Sequence, residues 1–394
     1  MHRQRKIILM METSRTYGRS ILRGIARYAR THGPWVFYRS APFYWGANET
    51  KNSLVSLFRL DVDGIVLREQ RNRRQIERIL SLGLPTIVSP YTEPFPGSPN
   101  ILTDDVAIGR MAAEHLLHRG FRYFAYCGFG DCYFWSRERG RSFCRRVREA
   151  GFETHCYEYE QPKSASRRSW EAEQDILVAW LKSLPKPAGV MACNDDRSQY
   201  LLEACKLADL RVPEEVAIIG VGNDDLICDL AAPPLSSVAL SAQKAGYEAA
   251  SALDALMSGQ TIRDDTTVVR PNRVVTRQST DVFAIADPYV LEVLRYIHAR
   301  AKKDALQVDD ILKFVPVSRR DLYNRFSGVM GRSVHDEIKR VRMEECARLL
   351  ISTELPISEI ASRMGCSDAK NLARYFRQAM GMNPLAYREQ HCIK

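Results

Sequence analysis

At 394 residues the chain is too long for one ordinary core, so two or three domains are expected. Its 45% hydrophobic and 26% charged residues suit a soluble globular protein, and no apolar run approaches the length of a membrane span. The net charge of +10 favours polyanionic partners, while the 10 cysteines form neither a CxxC pair nor a Cys/His cluster at zinc spacing; no metal site or cofactor is expected, and the thiols read as reduced in a cytoplasmic protein.

The chain begins with a basic stretch and a short apolar run, Ile7–Met11, that stops at Glu12. This is too short for a signal peptide and reads as a buried strand. Further strand-like runs follow at Gly64–Leu67, Thr86–Ser89, Tyr123–Gly128, Gly189–Cys193 and Val216–Val221. Helix-like segments lie between them at Tyr17–Thr31, Asn72–Leu82, Val106–Arg119, Arg137–Ala150 and Gln199–Ala208. Asp104 or Asp105 is placed to cap the third of these. Alternation of fully apolar strands with amphipathic helices predicts parallel α/β sheets, and the number of runs predicts two sheets. The lobes are expected to divide near 99–103 and 230–236, with a ligand cleft at the strand ends. Residues 1–277 make up this unit, and 278–287 read as a linker.

From 288 to 394 the pattern is entirely helical, and the excess of Lys/Arg over Asp/Glu is densest there. Two helix-turn-helix patterns occur, Val308–Phe326 and Ile357–Phe376, joined by a helix expected over about Val334 to Ser352. In the second, Ala361 permits close helix crossing, Gly365 suits a turn with positive φ, and Ser367 or Asp368 caps the next helix. Leu372 and Phe376 share an inner face; Lys370, Arg374 and Arg377 project oppositely. In the first, Ser318 is the expected cap, Leu322 and Phe326 point inward, and Arg320 and Asn324 outward. Arg and Asn are the side chains that pair bidentately with guanine and adenine, whereas Arg319 and Arg325 suit phosphates. With Ser318, Ser367 and Asn371 at the helix starts, these form the candidate contact set for double-stranded operator DNA. An ordinary bundle with a solvated basic face is the competing reading; two elements in order on one rigid helix weigh against it.

Arg342–Leu350, Leu355–Ala361, Gly365, Tyr375–Arg377 and Gly381–Arg388 resemble the AraC/XylS family of transcription regulators over about Tyr289 to Arg388. Leu312 stands where that family has a small Ala and Pro316 where it has the turn Gly, which implies a differently angled first element. The first 277 residues resemble the LacI/GalR-type, periplasmic-binding-protein-like sensor domain, through Tyr17–Ile25, Asp104-Asp105, Phe134–Arg139, Asn194-Asp195, Ile219–Asp224, Pro234–Val238 and Arg273–Thr280. A sensor in front of an AraC-type reader is similar to the xylose-responsive operon regulators. That resemblance implies a two-lobed α/β sensor plus an all-α domain with two helix-turn-helix motifs. It also implies a homodimer, a small sugar effector (D-xylose favoured over another monosaccharide), and RNA polymerase as the partner of an activator. It assigns Arg139 as the fork donor to ring hydroxyls, Asn194 and either Asn223 or Asp224 as amide and carboxylate partners, Ser14, Tyr17 and Arg19 as the groups closing from the first lobe, and Trp135 as the stacking wall. Asp195 and Asp104 read as helix caps. A sugar-processing enzyme is the alternative of a different class; no nucleophile elbow, P-loop or HExxH accompanies the paired aspartates, and no catalytic residue is expected.

Overall fold

The computed structural model describes residues 4–39, 61–69, 73–158, 170–262, 266–301 and 306–393. The first lobe is a six-stranded parallel sheet in the order β11-β5-β4-β3-β1-β2. Its strands are β1 (Arg5–Met10), β2 (Trp35–Arg39), β3 (Gly64–Arg68), β4 (Thr86–Ser89), β5 (Asn100–Thr103) and β11 (Thr266–Val269). Helices α1 (Thr16–His32), α2 (Arg73–Leu80) and α8 (Ala242–Met257) cover it. The second lobe repeats the plan in the order β12-β10-β9-β8-β6-β7, with only β12 antiparallel. Its strands are β6 (Tyr123–Cys127), β7 (Thr154–Cys156), β8 (Ala188–Ala192), β9 (Val216–Gly222), β10 (Ser236–Leu240) and β12 (Pro271–Val275). Helices α3 (Asp105–His118), α4 (Phe134–Glu149), α5 (Trp170–Ser183), α6 (Asp195–Leu207) and α7 (Asp225–Leu230) flank them.

Strands such as Ile7–Met10 and Ile65–Leu67 are buried on both faces, which is why they read as apolar runs rather than as alternations. Between α1 and α8 a different device operates. A Cβ on Gly24 would lie 2.0 Å from the Gln243 carbonyl, and one on Gly246 would lie 2.1 Å from that of Ile21. Two glycines therefore let the helix backbones touch.

Among the described residues the chain crosses between lobes three times. The first crossing falls at Asp104, directly after β5. The second falls at Ser241, because residues 230–236, where a division was expected, lead into β10, which still pairs with β9. A third, at Arg270 between β11 and β12, carried no apolar signal because it is one residue long. The three are laced together, since Asp104 N–H donates to Val269 O (3.0 Å) and Ser241 N–H to Arg270 O (2.8 Å). Segment 278–287 is no loose linker either. Ser279 hydroxyl donates to Ile218 O (2.7 Å), Ala284 N–H to Arg119 O (2.8 Å), and Phe283 and Ile285 pack into the next core.

The helical part comprises α9 (Pro288–Arg300), α10 (Val308–Phe314), α11 (Arg319–Met330), α12 (Val334–Ser352), α13 (Ile357–Arg363), α14 (Ala369–Met380) and α15 (Pro384–His391). The long α12 is shared between two cores. Its Val334, Ile338 and Val341 join Leu322 and Phe326, while Met343, Cys346, Leu349 and Leu350 join Leu372 and Phe376. That sharing fixes the two helix-turn-helix units relative to each other. Gly365 takes φ +67 at the second turn. Leu312 packs half-buried on the first core, so the first unit closes despite Pro316.

Candidate effector cleft and nucleic-acid interface

The ends of the parallel strands of both lobes meet around a cavity of about 290 Å³. This is near the lower limit of ordinary ligand sites, roughly 300 Å³, and matches a monosaccharide-sized molecule. Of the residues expected there, Ser14, Tyr17, Trp135, Arg139, Asn194 and Asp224 line it. Glu12, Arg68, Tyr91, Phe134, Asp195 and Asp196 also line it.

The first lobe supplies a stacked cation. The Arg68 guanidinium lies 4.4 Å from the ring centre of Tyr17 and 4.1 Å from that of Tyr91. Burial opposes its charge, but Tyr17, Tyr91 and Glu12 more than offset this and raise its pKa. The second lobe supplies Arg139, buried at 6% exposure, with Nε to Asp105 Oδ1 (2.8 Å), Nη1 to Cys193 O (2.7 Å), and the guanidinium 4.9 Å from the Trp135 ring. Burial raises the Asp105 pKa against the field of Arg139. Two buried donors in this cleft, Arg68 Nε and Trp135 Nε1, have no hydrogen-bond partner. Two orphan donors, the carboxylates of Glu12 and Asp196, and aromatic walls make a site for a neutral polyol with one apolar face.

Three expectations are corrected. Asn223 is held away from the cleft in the left-handed region (φ 49), where its side-chain Oδ1 accepts from Arg277 Nη1 (2.9 Å). Arg19 is a latch: it donates to Thr13 O and Ser14 O and lies 3.5 Å from Asp224 and Asp225. Asn194, not Asp195, caps α6, accepting from Arg197 N–H (2.9 Å), whereas Asp104 caps α3 as expected. Asp224 is itself committed across the lobes, accepting from Thr16 N–H (2.6 Å), and Arg15 pairs with Asp196 beside it (2.5 Å). These bonds hold one lip of the cleft shut; Arg137 to Glu93 (2.9 Å) and Phe134 N–H to Thr92 O (3.2 Å) hold the other.

Asp195 lies beneath the cavity floor and accepts from Ser237 hydroxyl (2.6 Å) and Asp224 N–H (2.8 Å). Its carboxylate explains two glycines: a Cβ at Gly220 would lie 2.4 Å, and at Gly222 3.1 Å, from its oxygens. Burial raises its pKa to about 6. Because the folded value lies above the unfolded one, this group favours the fold below the unfolded pKa, and that preference is lost as pH rises through about 6. Relative to Asp195→Asn, the wild-type sensor should therefore gain on the order of 2 kcal/mol between pH 7 and pH 4. Denaturant melts of both proteins at the two pH values check this; parallel curves would count against it.

Arg68 and Tyr91 are not singled out by the sequence, although each sits at the C-terminal end of a first-lobe strand, where ligands of parallel sheets bind. Among the described residues no group of three His, Cys, Asp or Glu could hold a metal ion, and no helix is long and apolar enough to cross a membrane.

On the helical part, Ser318 caps α11 through Asp321 N–H (3.2 Å) and Asp368 caps α14 through Asn371 N–H (2.7 Å). Asn371 also donates to Ser367 hydroxyl (2.6 Å), so these two brace the helix start. Arg319 pairs with Asp309. Arg325, expected on phosphate, instead pairs with Asp287 (3.1 Å) and Asp321 (2.9 Å). Arg320, Asn324, Lys370, Arg374 and Arg377 are exposed, opposite the buried Leu322/Phe326 and Leu372/Phe376 pairs.

The helical part docks on both lobes. His391 of α15 is buried against Ser241, the second crossing (Nδ1 to Oγ 2.8 Å). Tyr387 hydroxyl donates to Asn272 O in the second lobe (2.6 Å), and Lys244 of the first lobe donates to Glu389 O (2.5 Å). From the turn just before α12, Arg332 reaches His118 O at the end of α3 (3.2 Å).

A family model for a periplasmic-binding-protein-like domain matches residues 113–280, and one for a helix-turn-helix domain matches residues 311–390. The xylose operon regulatory protein of Haemophilus influenzae is 29% identical over 390 residues, covering 97% of this chain and 98% of that protein. Its counterpart in Escherichia coli K12 is 29% identical, covering 98% and 97%. The solved structure of the xylose-binding transcription activator XylR superposes with a TM-score of 0.61 at 27% identity and covers 100% of both chains. This chain is similar to the XylR transcription regulators along its whole length. The fold match spans sensor and reader together, in that order, and the relatives are transcription regulators rather than enzymes. A cellobiose-bound regulator, CelR, matches 71% of the chain at a TM-score of 0.55 and 19% identity, which speaks only for the sensor fold of the XylR-like chain.

Proposed function

We propose that this XylR-like chain is a cytoplasmic homodimer that takes a pentose, D-xylose favoured, in the interlobe cleft and activates transcription from operator DNA through RNA polymerase. In this reading residues 1–277 sense, 278–287 form a packed strap, and 288–394 read DNA. The observation carrying the effector half is the cleft itself: Arg68 between two tyrosines faces Trp135 and Arg139, with orphan donors on both lobes. A sugar offers each an acceptor oxygen, and the ring CH face suits an aromatic wall. Ser14, Tyr17, Trp135, Arg139 and Asn194, with Glu12 and Arg68 added, are the proposed contacts; Arg19 and Asp224 hold the lobes together around the ligand.

Coupling follows from where the reader is docked. Its C-terminal helix is bonded to both lobes and to a crossing between them, so a change of lobe angle cannot leave it in place. An effector that binds the closed lobes more tightly than the open ones thereby selects one placement of the two readers in the dimer.

On the DNA side, Arg320, Asn324, Lys370, Arg374 and Arg377 are the proposed groove and phosphate contacts. Lys370→Ala with Arg374→Ala should weaken operator binding about tenfold or more while leaving effector affinity unchanged. Gel-shift titration beside calorimetric titration of D-xylose checks this. Unchanged operator affinity would sink the assignment of α14 as a recognition helix.

A further inference from the structure

Five of the 10 cysteines of the chain are packed away, and Cys132, Cys366 and Cys392 are partly buried. Cys127, Cys193, Cys205, Cys228 and Cys346 are buried, and burial raises the pKa of each thiol. Two differ. Cys144, on the outer half of α4, is half-buried, and Cys156, the last residue of edge strand β7, is exposed. Their sulfurs lie 3.6 Å apart although the residues are twelve positions apart in sequence. A disulfide needs about 2.05 Å between sulfurs, so a shift of roughly 1.5 Å, available at a helix flank and a sheet edge, closes it. Neither thiol serves the effector cleft or the DNA face, and no metal-ligating group joins them among the described residues.

We propose that Cys144 and Cys156 form a reversible thiol–disulfide site that reacts with hydroperoxides. The Cys144 thiolate attacks the terminal oxygen of the peroxide; an S–O bond forms, the O–O bond breaks, and the leaving oxygen departs as water or alcohol after taking a proton. The resulting sulfenic acid is attacked by the Cys156 sulfur, an S–S bond forms, and the second oxygen leaves as water. Two thiols are oxidised and one peroxide is reduced; a dithiol reductant reverses the exchange. The environment separates the two roles. The Cys144 thiol is pulled down to about 7 by the hydrogen bond from Cys156, and also by Thr154 and the charge of Arg148, which makes it the nucleophile near neutrality. Cys156 is shifted upward by the same neighbour and suits the resolving role.

The site also has a lever. Helix α4 carries Cys144 near one end and Phe134, Trp135 and Arg139, all in the cleft, at the other. A bridge would pin this helix to the sheet edge, tying the redox state to the element that presents the second lobe's cleft residues.

The test uses the full chain with hydrogen peroxide and no effector, so that it stands apart from the pentose assignment. Intact mass should fall by two hydrogens, with peptide mapping linking Cys144 to Cys156. Cys156→Ser should instead trap a dimedone-reactive sulfenic acid at Cys144, and Cys144→Ser should give neither product. Hydrogen exchange over Phe134–Glu149 should slow about tenfold or more on oxidation and recover with dithiothreitol. Oxidation that begins at Cys132, Cys366 or Cys392, dimedone labelling elsewhere in Cys156→Ser, or unchanged exchange in α4 of the bridged protein would each overturn the proposal.

Discussion

Arg139→Ala should abolish measurable effector binding and lower the stability of the sensor by about 3–5 kcal/mol. Both effects share a cause. Arg139 is buried and neutralises Asp105 at 2.8 Å, while it also donates to the Cys193 carbonyl and lies over Trp135. Truncation leaves a buried carboxylate without its cation and a carbonyl without its donor. The variant's Asp105 is expected to take up a proton, because burial already raises its pKa in the presence of Arg139. Arg139→Lys retains the charge but not the fork and should recover part of the stability with little of the affinity. The reader keeps its own cores, so operator affinity without effector should stay within a few-fold of wild type. Calorimetry with D-xylose and urea melts check these values; full effector affinity in Arg139→Ala would remove this residue from the site.

The second large effect is expected at Glu337. This carboxylate is fully buried in α12 and accepts from Arg332 (2.6 Å), Arg340 (2.7 Å) and His298 (3.2 Å). Burial alone would raise its pKa, but His298, Arg340 and Arg332 hold it far below the ordinary carboxylate range. Glu337→Ala strands two arginines that also fasten α12 to His118 of the second lobe, through the His118 carbonyl and ring nitrogen. The expected loss is about 3–5 kcal/mol in the reader, with looser docking on the sensor. Glu337→Gln should lose less, since its amide oxygen still accepts. Limited proteolysis between sensor and reader, read beside melts of the helical part, checks both; a wild-type melt in Glu337→Ala would contradict the account.

The parts of the molecule that read well from sequence are those in which a single local rule acts. Strands such as Ile7–Met10 are buried on both faces and announce themselves as apolar runs; the helix expected over about Val334 to Ser352 is α12, whose buried Ile338, Val341, Cys346 and Leu349 recur at helical spacing. Short or edge elements were missed: β2, β7 and the one-residue crossing at Arg270 carry no periodicity to detect. In the cleft, Trp135 and Arg139, which belong to a motif the sequence singles out, line the cavity. Arg68 and Tyr91 are not singled out, because their role depends on β3 and β4 lying side by side, and pairing of distant strands leaves no mark on either segment. Asn223 was misplaced for a conformational reason: its left-handed backbone turns the side chain toward Arg277, one residue away from Asp224, which does face the cavity. Arg325 likewise turned to Asp287 across the strap, a partner 38 positions away.

The proposed function requires a pentose in the cleft and an operator on the two helix-turn-helix units to be linked through one docked joint. The direct measurement is operator affinity by fluorescence anisotropy with and without saturating D-xylose, paired with D-xylose affinity with and without saturating operator. Linkage requires both pairs to shift by the same factor, and for an allosteric regulator that factor should be about fivefold or more. Equal shifts of that size are the predicted result. D-xylose that binds in the cleft while leaving operator affinity unchanged would contradict it.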